Sequence, residues 1–148
     1  MTRRSSRNSP LDLSSLVQAA GDAIIAADTD GKIRLWNPAA ERMFGFTAEE
    51  ALGRSLDLII PECWRTRHWE GYRRVMRTGQ TRYGVEVLRV PARHKDGHTL
   101  SIAFTVALLP AGDGRIQAIA AIIRDETARW EEERALRRRV AELEARSR

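Results

Sequence analysis

The sequence contains a single cysteine, Cys63, among its 148 residues. One cysteine cannot form a disulfide within the chain, and the lack of a disulfide framework favours a reducing compartment. No apolar run approaches the roughly 20 residues that a membrane-spanning helix requires. The basic start, MTRRSSRNSP, is not followed by the apolar segment of a secretory signal. These absences exclude disulfide-stabilised secreted proteins and proteins that span a membrane, so we expect a cytoplasmic protein without a membrane partner.

The net charge of +5 lies outside the central part of the chain. Residues 1–9 and 129–148 carry all of the excess, which leaves residues 10–128 with no net charge. Nucleic-acid binding usually requires a basic stripe on the folded domain itself, so we expect no nucleic-acid partner. With 43% hydrophobic and 30% charged residues, the composition predicts one globular domain with short extensions.

The sequence also lacks the motifs of common enzyme classes. It has no P-loop, no nucleophile paired with a base, and no cluster with metal-ligand spacing. His94 and His98 flank an expected turn at Asp96-Gly97, where histidine side chains are usually just solvated. No catalytic residue is indicated, and we expect the chain not to be an enzyme.

The most informative stretch is Pro61 to Thr78, which predicts a long helix with a proline in its first turn and Gly79 after its end. At about 100° per residue, His68 lies at the centre of the apolar face. Val75 falls roughly 20° from it, and Trp64 and Tyr72 roughly 40° away on either side. The histidine therefore points inward, either as a core residue satisfied by one hydrogen bond or as a metal or haem ligand.

Apolar periodicity and turn residues predict the remaining elements. A helix is expected over residues 10–21, with Ser9 as its cap, and short helices follow Asn37 and Thr47. The predicted strands cover residues 22–27, 32–36, 83–90, 100–108 and 116–123. A final helix begins at Thr127. This order predicts an α+β fold in which helices cover one face of a five-stranded antiparallel sheet.

Several short motifs occur together in this order. They are Asp30-Gly31, Asn37-Pro38-Ala39-Ala40, Phe44-Gly45, Gly53, Asp96-Gly97 and Arg124-Asp125-Glu126-Thr127. The chain thereby resembles PAS sensor domains over about residues 12–129. The resemblance implies four segments: a flexible arm (1–9), an N-terminal cap helix (10–21), the PAS domain (22–126) and a C-terminal signalling helix (127–148).

The stretch around His68 is similar to the corresponding helix of haem-binding, FixL-type oxygen-sensing kinases. By that resemblance, His68 corresponds to the proximal haem ligand, and Arg74 corresponds to the arginine that pairs with a haem propionate. Tyr72 lies one position away from the tyrosine of that helix. It implies haem b as cofactor and a diatomic gas (O₂, CO or NO) as ligand. Gly71 would leave room for a flat macrocycle, beside Trp64 and Val75. The apolar opposite wall would consist of Leu88, Ile102, Phe104 and Val106.

Two departures from known subtypes are informative. FixL-type domains carry an arginine that reaches bound oxygen, whereas the aligned residue here is Leu88, with Arg89 on the opposite side of the strand. O₂ would therefore lose polar stabilisation, while CO and NO need it less. Light-sensing flavin domains carry a cysteine in a Gly-Arg-Asn-Cys-Arg-Phe type motif, which the surroundings of Cys63 do not match.

The terminal helices predict self-association. Leu136, Val140 and Leu143 form a heptad seam of about one and a half repeats, which is too short to hold two helices together alone. We therefore expect a homodimer in which this seam packs with the N-terminal stripe, Leu13, Leu16, Val17 and Ala20. A downstream effector domain or protein would receive the signal. The alternative is a cofactor-free PAS module for dimerisation and signal relay, with His68 in the core.

Overall fold

The computed structural model describes residues 10–81 and 85–147, which form a five-stranded antiparallel sheet with helices. Strands β1 (Ala23–Asp28), β2 (Ile33–Trp36), β3 (Leu88–Arg93), β4 (Thr99–Pro110) and β5 (Ile116–Asp125) are arranged in the order β2-β1-β5-β4-β3. The helices are α1 (Leu13–Ala19), α2 (Pro38–Phe44), α3 (Ala48–Ala51), α4 (Arg65–Thr78) and α5 (Thr127–Arg146). This architecture confirms the predicted fold class. In the described part of the chain, no helix is both long and apolar enough to cross a membrane.

Two short helices begin where their capping residues predict. The Asn37 side chain accepts a hydrogen bond from the Ala40 amide, and a proline occupies the first turn of α2. Thr47 and Glu50 form both bonds of a capping box at the start of α3. The core lies between these helices and the sheet, with Phe44 and Ile33 fully buried.

Asn37 also joins three elements from inside the protein, where it is fully buried. Its Oδ1 accepts from the Ile24 and Ala40 amides at 2.9 and 3.0 Å, and its Nδ2 donates to the Val17 and Asp22 carbonyls at 3.0 and 3.1 Å. Both donor hydrogens and both acceptor positions of the amide are thus used. The side chain ties α1 and the start of β1 to α2.

Some predicted boundaries were wrong. Helix α1 is capped by Asp12, whereas the predicted cap, Ser9, lies outside the described residues. Asp12 accepts from the Ser14 amide, so that the first turn begins at Leu13, three residues after Pro10. The long helix starts with a 3₁₀ turn over Glu62–Trp64, and its α-helical part begins only at Arg65. Pro61 therefore precedes the helix.

The predicted strand over 83–90 is displaced along the chain. β3 covers Leu88–Arg93, and Val85 is 94% exposed, while residues 82–84 lie outside the described part. An edge strand forms only where it is hydrogen-bonded to its single neighbouring strand. Pairing with β4 begins at Leu88, which lies opposite Phe104. Pro91 is compatible with β3 because this is an edge strand. β4 and β5 each extend further than the apolar alternation predicted.

Candidate functional site

Helix α4 is attached to the N-terminal half of the domain by two aromatic side chains. The buried Tyr72 donates its hydroxyl to the Asp28 carbonyl at the end of β1, at 2.5 Å. Trp69 donates Nε1 to Asp57 Oδ1 at 2.8 Å, and its ring covers Gly31. A Cβ atom on Gly31 would lie 2.2 Å from that ring, so only glycine permits this approach. These contacts fix the orientation of the helix about its axis.

His68 packs against both of these anchors, on the inward side of α4. Its ring is 4.7 Å from the Trp69 ring and 5.7 Å from the Tyr72 ring, measured between centroids. Among the described residues, His68 Nδ1 is the one buried side-chain nitrogen or oxygen without a hydrogen-bond partner. In a histidine that serves only as a core residue, a buried ring nitrogen usually has a hydrogen-bond partner. The unpartnered Nδ1 therefore favours a binding site over a purely structural role.

Burial lowers the pKa of His68, because a charged imidazole loses its hydration there. The Asp57 carboxylate acts in the opposite direction but with a smaller effect, and that carboxylate also accepts from Trp69. The imidazole of His68 is therefore neutral at pH 7. A neutral imidazole is the form that coordinates a metal ion.

The expected wall residues share one face of the sheet. Leu88 pairs directly with Phe104, and Val106 pairs with Ala121 in the next row of the same face. Ile102 on this face is buried, whereas Leu88, Phe104 and Val106 remain half-buried. The face is thus well covered around Ile102 and less well covered toward Val106. An apolar surface that is only partly covered is able to accept an apolar ligand.

The other residues of this segment that were predicted to contact a cofactor differ in their exposure and neighbours. A Cβ on Gly71 would meet no atom within 4 Å, so there is open space beside this turn of the helix. Arg74 is exposed and Val75 is half-buried. Trp64 is half-buried below the guanidinium of Arg67, which lies 6.0 Å from the ring centroid. Each of these side chains remains a prediction as a cofactor contact.

A second cluster of polar side chains lies at the β3–β4 turn. His94, Asp96 and His98, named here the hairpin cluster, place one potential ligand atom each within 4.8 Å of the others. The sequence predicted only solvated histidines at this turn, and this arrangement was not predicted. The signal was the alternation His-x-Asp-x-His, which can return the three side chains to the same side of a tight turn.

The start of α5 is hydrogen-bonded to the neighbouring strands. The Glu126 amide donates to the Ser101 carbonyl at 2.7 Å, and the Ser101 amide donates to Thr127 Oγ1 at 3.0 Å. Arg89 on β3 donates to the Glu126 carboxylate at 3.3 Å. The strands that carry Phe104 and Leu88 are thus bonded to the beginning of the C-terminal helix.

Comparison with known proteins gives the family of this chain and several relatives. Residues 11–125 match the family described as PAS fold. The chain is 36% identical over 118 residues to an uncharacterised protein of Azorhizobium caulinodans, covering 79% of this chain and 16% of that protein. It is 32% identical over 101 residues to the sensor protein FixL of Bradyrhizobium diazoefficiens (68% and 20%). It is 29% identical over 117 residues to the oxygen sensor protein DosP of Escherichia coli (77% and 14%).

Among solved structures, the chain resembles the PAS domain of a protein from Colwellia psychrerythraea. The TM-score is 0.69 at 21% identity, covering 78% of this chain and 95% of that one. This likeness concerns the fold. The chain spans a fifth or less of the length of the three curated relatives.

Proposed function

The chain belongs to the PAS family of sensor domains, and from this premise we propose that it binds haem b and senses a diatomic gas or a redox change in the cytoplasm. The observation that carries the proposal is the buried, unpartnered Nδ1 of a neutral imidazole on the inward face of α4. The similarity to FixL and to the oxygen sensor protein DosP supports it. Its role is to sense and relay rather than to catalyse.

The residues present fit such a group. His68 would hold the iron through its neutral imidazole, the half-buried Leu88, Phe104 and Val106 would contact the apolar macrocycle, and the exposed Arg74 would pair with a propionate. When bound, the haem supplies an iron centre with a position open to O₂, CO or NO. The apolar side chains that share the sheet face would keep water from that position.

The relay would run through the strands to α5. A shift of Phe104 or Leu88 on ligand binding would move β4 and β3, and these strands are bonded to the start of α5 through Ser101 and Arg89. In the single chain, Leu136 and Val140 on α5 are 65% and 53% exposed. We propose that these residues pack in a homodimer together with the exposed leucines of α1, and that α5 passes the change to an effector.

A haemin titration of the purified chain tests the proposal. We expect saturation at one equivalent with a Soret band, and loss of that band in His68→Ala unless imidazole is added. His98→Ala is the matched control, since it removes an exposed histidine outside α4 and should leave the titration unchanged. Unaltered binding by His68→Ala would contradict the assignment of the ligand.

The second candidate function is a cofactor-free relay module. It is favoured by the mutual packing of the His68, Trp69 and Tyr72 rings, which is also what a core aromatic cluster requires. In this case the parent chain would fail to bind haemin stoichiometrically, and His68→Phe would retain the dimer and the stability of the domain.

The ligand preference follows from Leu88. An apolar side chain at this position denies O₂ a charge-assisted hydrogen bond of roughly 1.5–3 kcal/mol, which corresponds to about ten- to a hundredfold in affinity. CO carries little charge and should lose much less. We expect Leu88→Arg to raise the affinity of the reduced, haem-loaded domain for O₂ but not for CO, measured by paired gas titrations. A tightly bound O₂ in the parent, unchanged by Leu88→Arg, would contradict this description of the pocket.

A further inference from the structure

The hairpin cluster is pre-organised by contacts outside the turn itself. The His94 ring lies on Gly45, where a Cβ atom would come within 2.6 Å of the imidazole. The Lys95 amide donates to the Phe44 carbonyl at 2.9 Å, and the Lys95 ammonium pairs with Glu50 at 2.7 Å. The turn is therefore held against the ends of α2 and α3. The Glu50 carboxylate thereby balances the charge of Lys95, which lies within the turn.

Within the cluster, the His98 ring contacts the Asp96 carboxylate, and the His94 ring accepts a hydrogen bond at Nδ1 from the Asp96 amide at 3.1 Å. The His94 and His98 rings are stacked with centroids 4.4 Å apart. Nδ1 of His94 lies 3.2 Å from Asp96 Oδ1, and Nδ1 of His98 is in close contact with the same oxygen. The His98 amide donates to Asp96 Oδ1 at 2.9 Å, which fixes this carboxylate within the turn.

We propose that His94, Asp96 and His98 form a surface site for a divalent transition-metal ion such as Zn²⁺ or Cu²⁺. Two imidazoles and one carboxylate match the ligands that these ions prefer. Ligand atoms of a tetrahedral zinc ion lie roughly 3.3 Å apart, since each bond is about 2.0–2.1 Å. The atoms here lie within 4.8 Å of one another, so a small side-chain adjustment closes the site.

The hairpin is closed by backbone hydrogen bonds, so the three side chains are available to bind an ion. Backbone bonds already close the hairpin, from the His94 amide to the His98 carbonyl and from the Gly97 amide to the His94 carbonyl, both at 2.9 Å. The two histidines and the aspartate are thus not all required to form the turn. A bound ion would replace the contacts that the two imidazoles make with Asp96, and it would leave one coordination position open to water. The site does not involve His68 and does not depend on haem.

The test is a calorimetric titration of the whole chain with Zn²⁺, followed by Cu²⁺ electron paramagnetic resonance to count nitrogen ligands. We expect one equivalent to bind, and affinity to fall at least about tenfold in His98→Ala and in Asp96→Asn. Asp113→Asn is the matched control, because Asp113 makes the same bond to the amide two residues on, in the β4–β5 hairpin. This variant should bind as the parent does.

Two further variants locate the ion. Cys63→Ser and His68→Ala should retain the equivalent of Zn²⁺, since Cys63 is exposed and elsewhere in the chain. Circular dichroism of His98→Ala should match that of the parent, because this side chain is exposed. Binding that survives His98→Ala, that disappears with Cys63 or His68, or that is weaker than about 1 mM in the parent overturns the proposal.

Discussion

Replacing Gly31 with alanine should destabilise the domain by about 2–5 kcal/mol. The backbone of Gly31 has a φ of +76°, where a non-glycine residue costs roughly 1–2 kcal/mol. The new Cβ would also lie 2.2 and 2.3 Å from two atoms of the Trp69 ring. Overpacking of this kind costs about 1–3 kcal/mol. The ring cannot retreat freely, because Trp69 Nε1 is bonded to Asp57.

Urea unfolding followed by circular dichroism measures this difference, and Gly53→Ala is the matched control. Gly53 has a similar φ of +81°, but no atom lies within 4 Å of the position that a methyl group would take there, so its alanine variant should show the backbone cost alone. In a Trp69→Ala background, Gly31→Ala should cost no more than Gly53→Ala does. Equal free energies of unfolding for the two single variants would refute the idea that Trp69 packs on Gly31.

Three other measurements test the anchors, the histidine and the dimer. Tyr72→Phe should lower the free energy of unfolding by about 1 kcal/mol in urea titrations, near the lower limit for a buried bond because the Asp28 carbonyl still accepts a backbone amide. In the haem-free protein, the folded state lowers the pKa of His68 below its unfolded value of about 6.5. The contribution of this residue to the free energy of unfolding is therefore fully present above about pH 6.5 and is lost as the pH falls from there to the pKa of the folded state. His68→Leu should flatten this part of the pH profile. The double variant Leu136→Asp, Val140→Asp should weaken the dimer in light scattering and keep haem binding, and a parent chain that is monomeric at high concentration would contradict the proposed seam.

The local signals predicted most of the fold because they act over a few residues. Asn37 and Thr47 begin α2 and α3 as their capping chemistry requires, and Gly79 ends α4 in the left-handed conformation. The start of α1 was not predictable in this way. Ser9 and Asp12 are both suitable caps by residue type, and Asp12 caps the helix by accepting from the Ser14 amide and the Ser15 hydroxyl.

The site could be predicted only in part. Helical periodicity gave the inward direction of His68, but the anchors of α4 bond to residues 44 and 12 positions away, which no local pattern encodes. Trp69 lies about 100° from His68 around the helix, outside the apolar face that the periodicity defines. Its position depends on Gly31, whose missing side chain makes room for the ring.

The four hydrogen bonds of Asn37 determine where the domain can be cut. A fragment that starts after Val17 loses the carbonyl that accepts from Nδ2, and it leaves a buried donor without a partner at a cost of about 1–3 kcal/mol. Removal of residues 10–16 leaves that bond in place. Protease trimming of the native protein should therefore stop before Val17, so that the folded unit includes the second half of α1 although this helix has no buried side chain of its own.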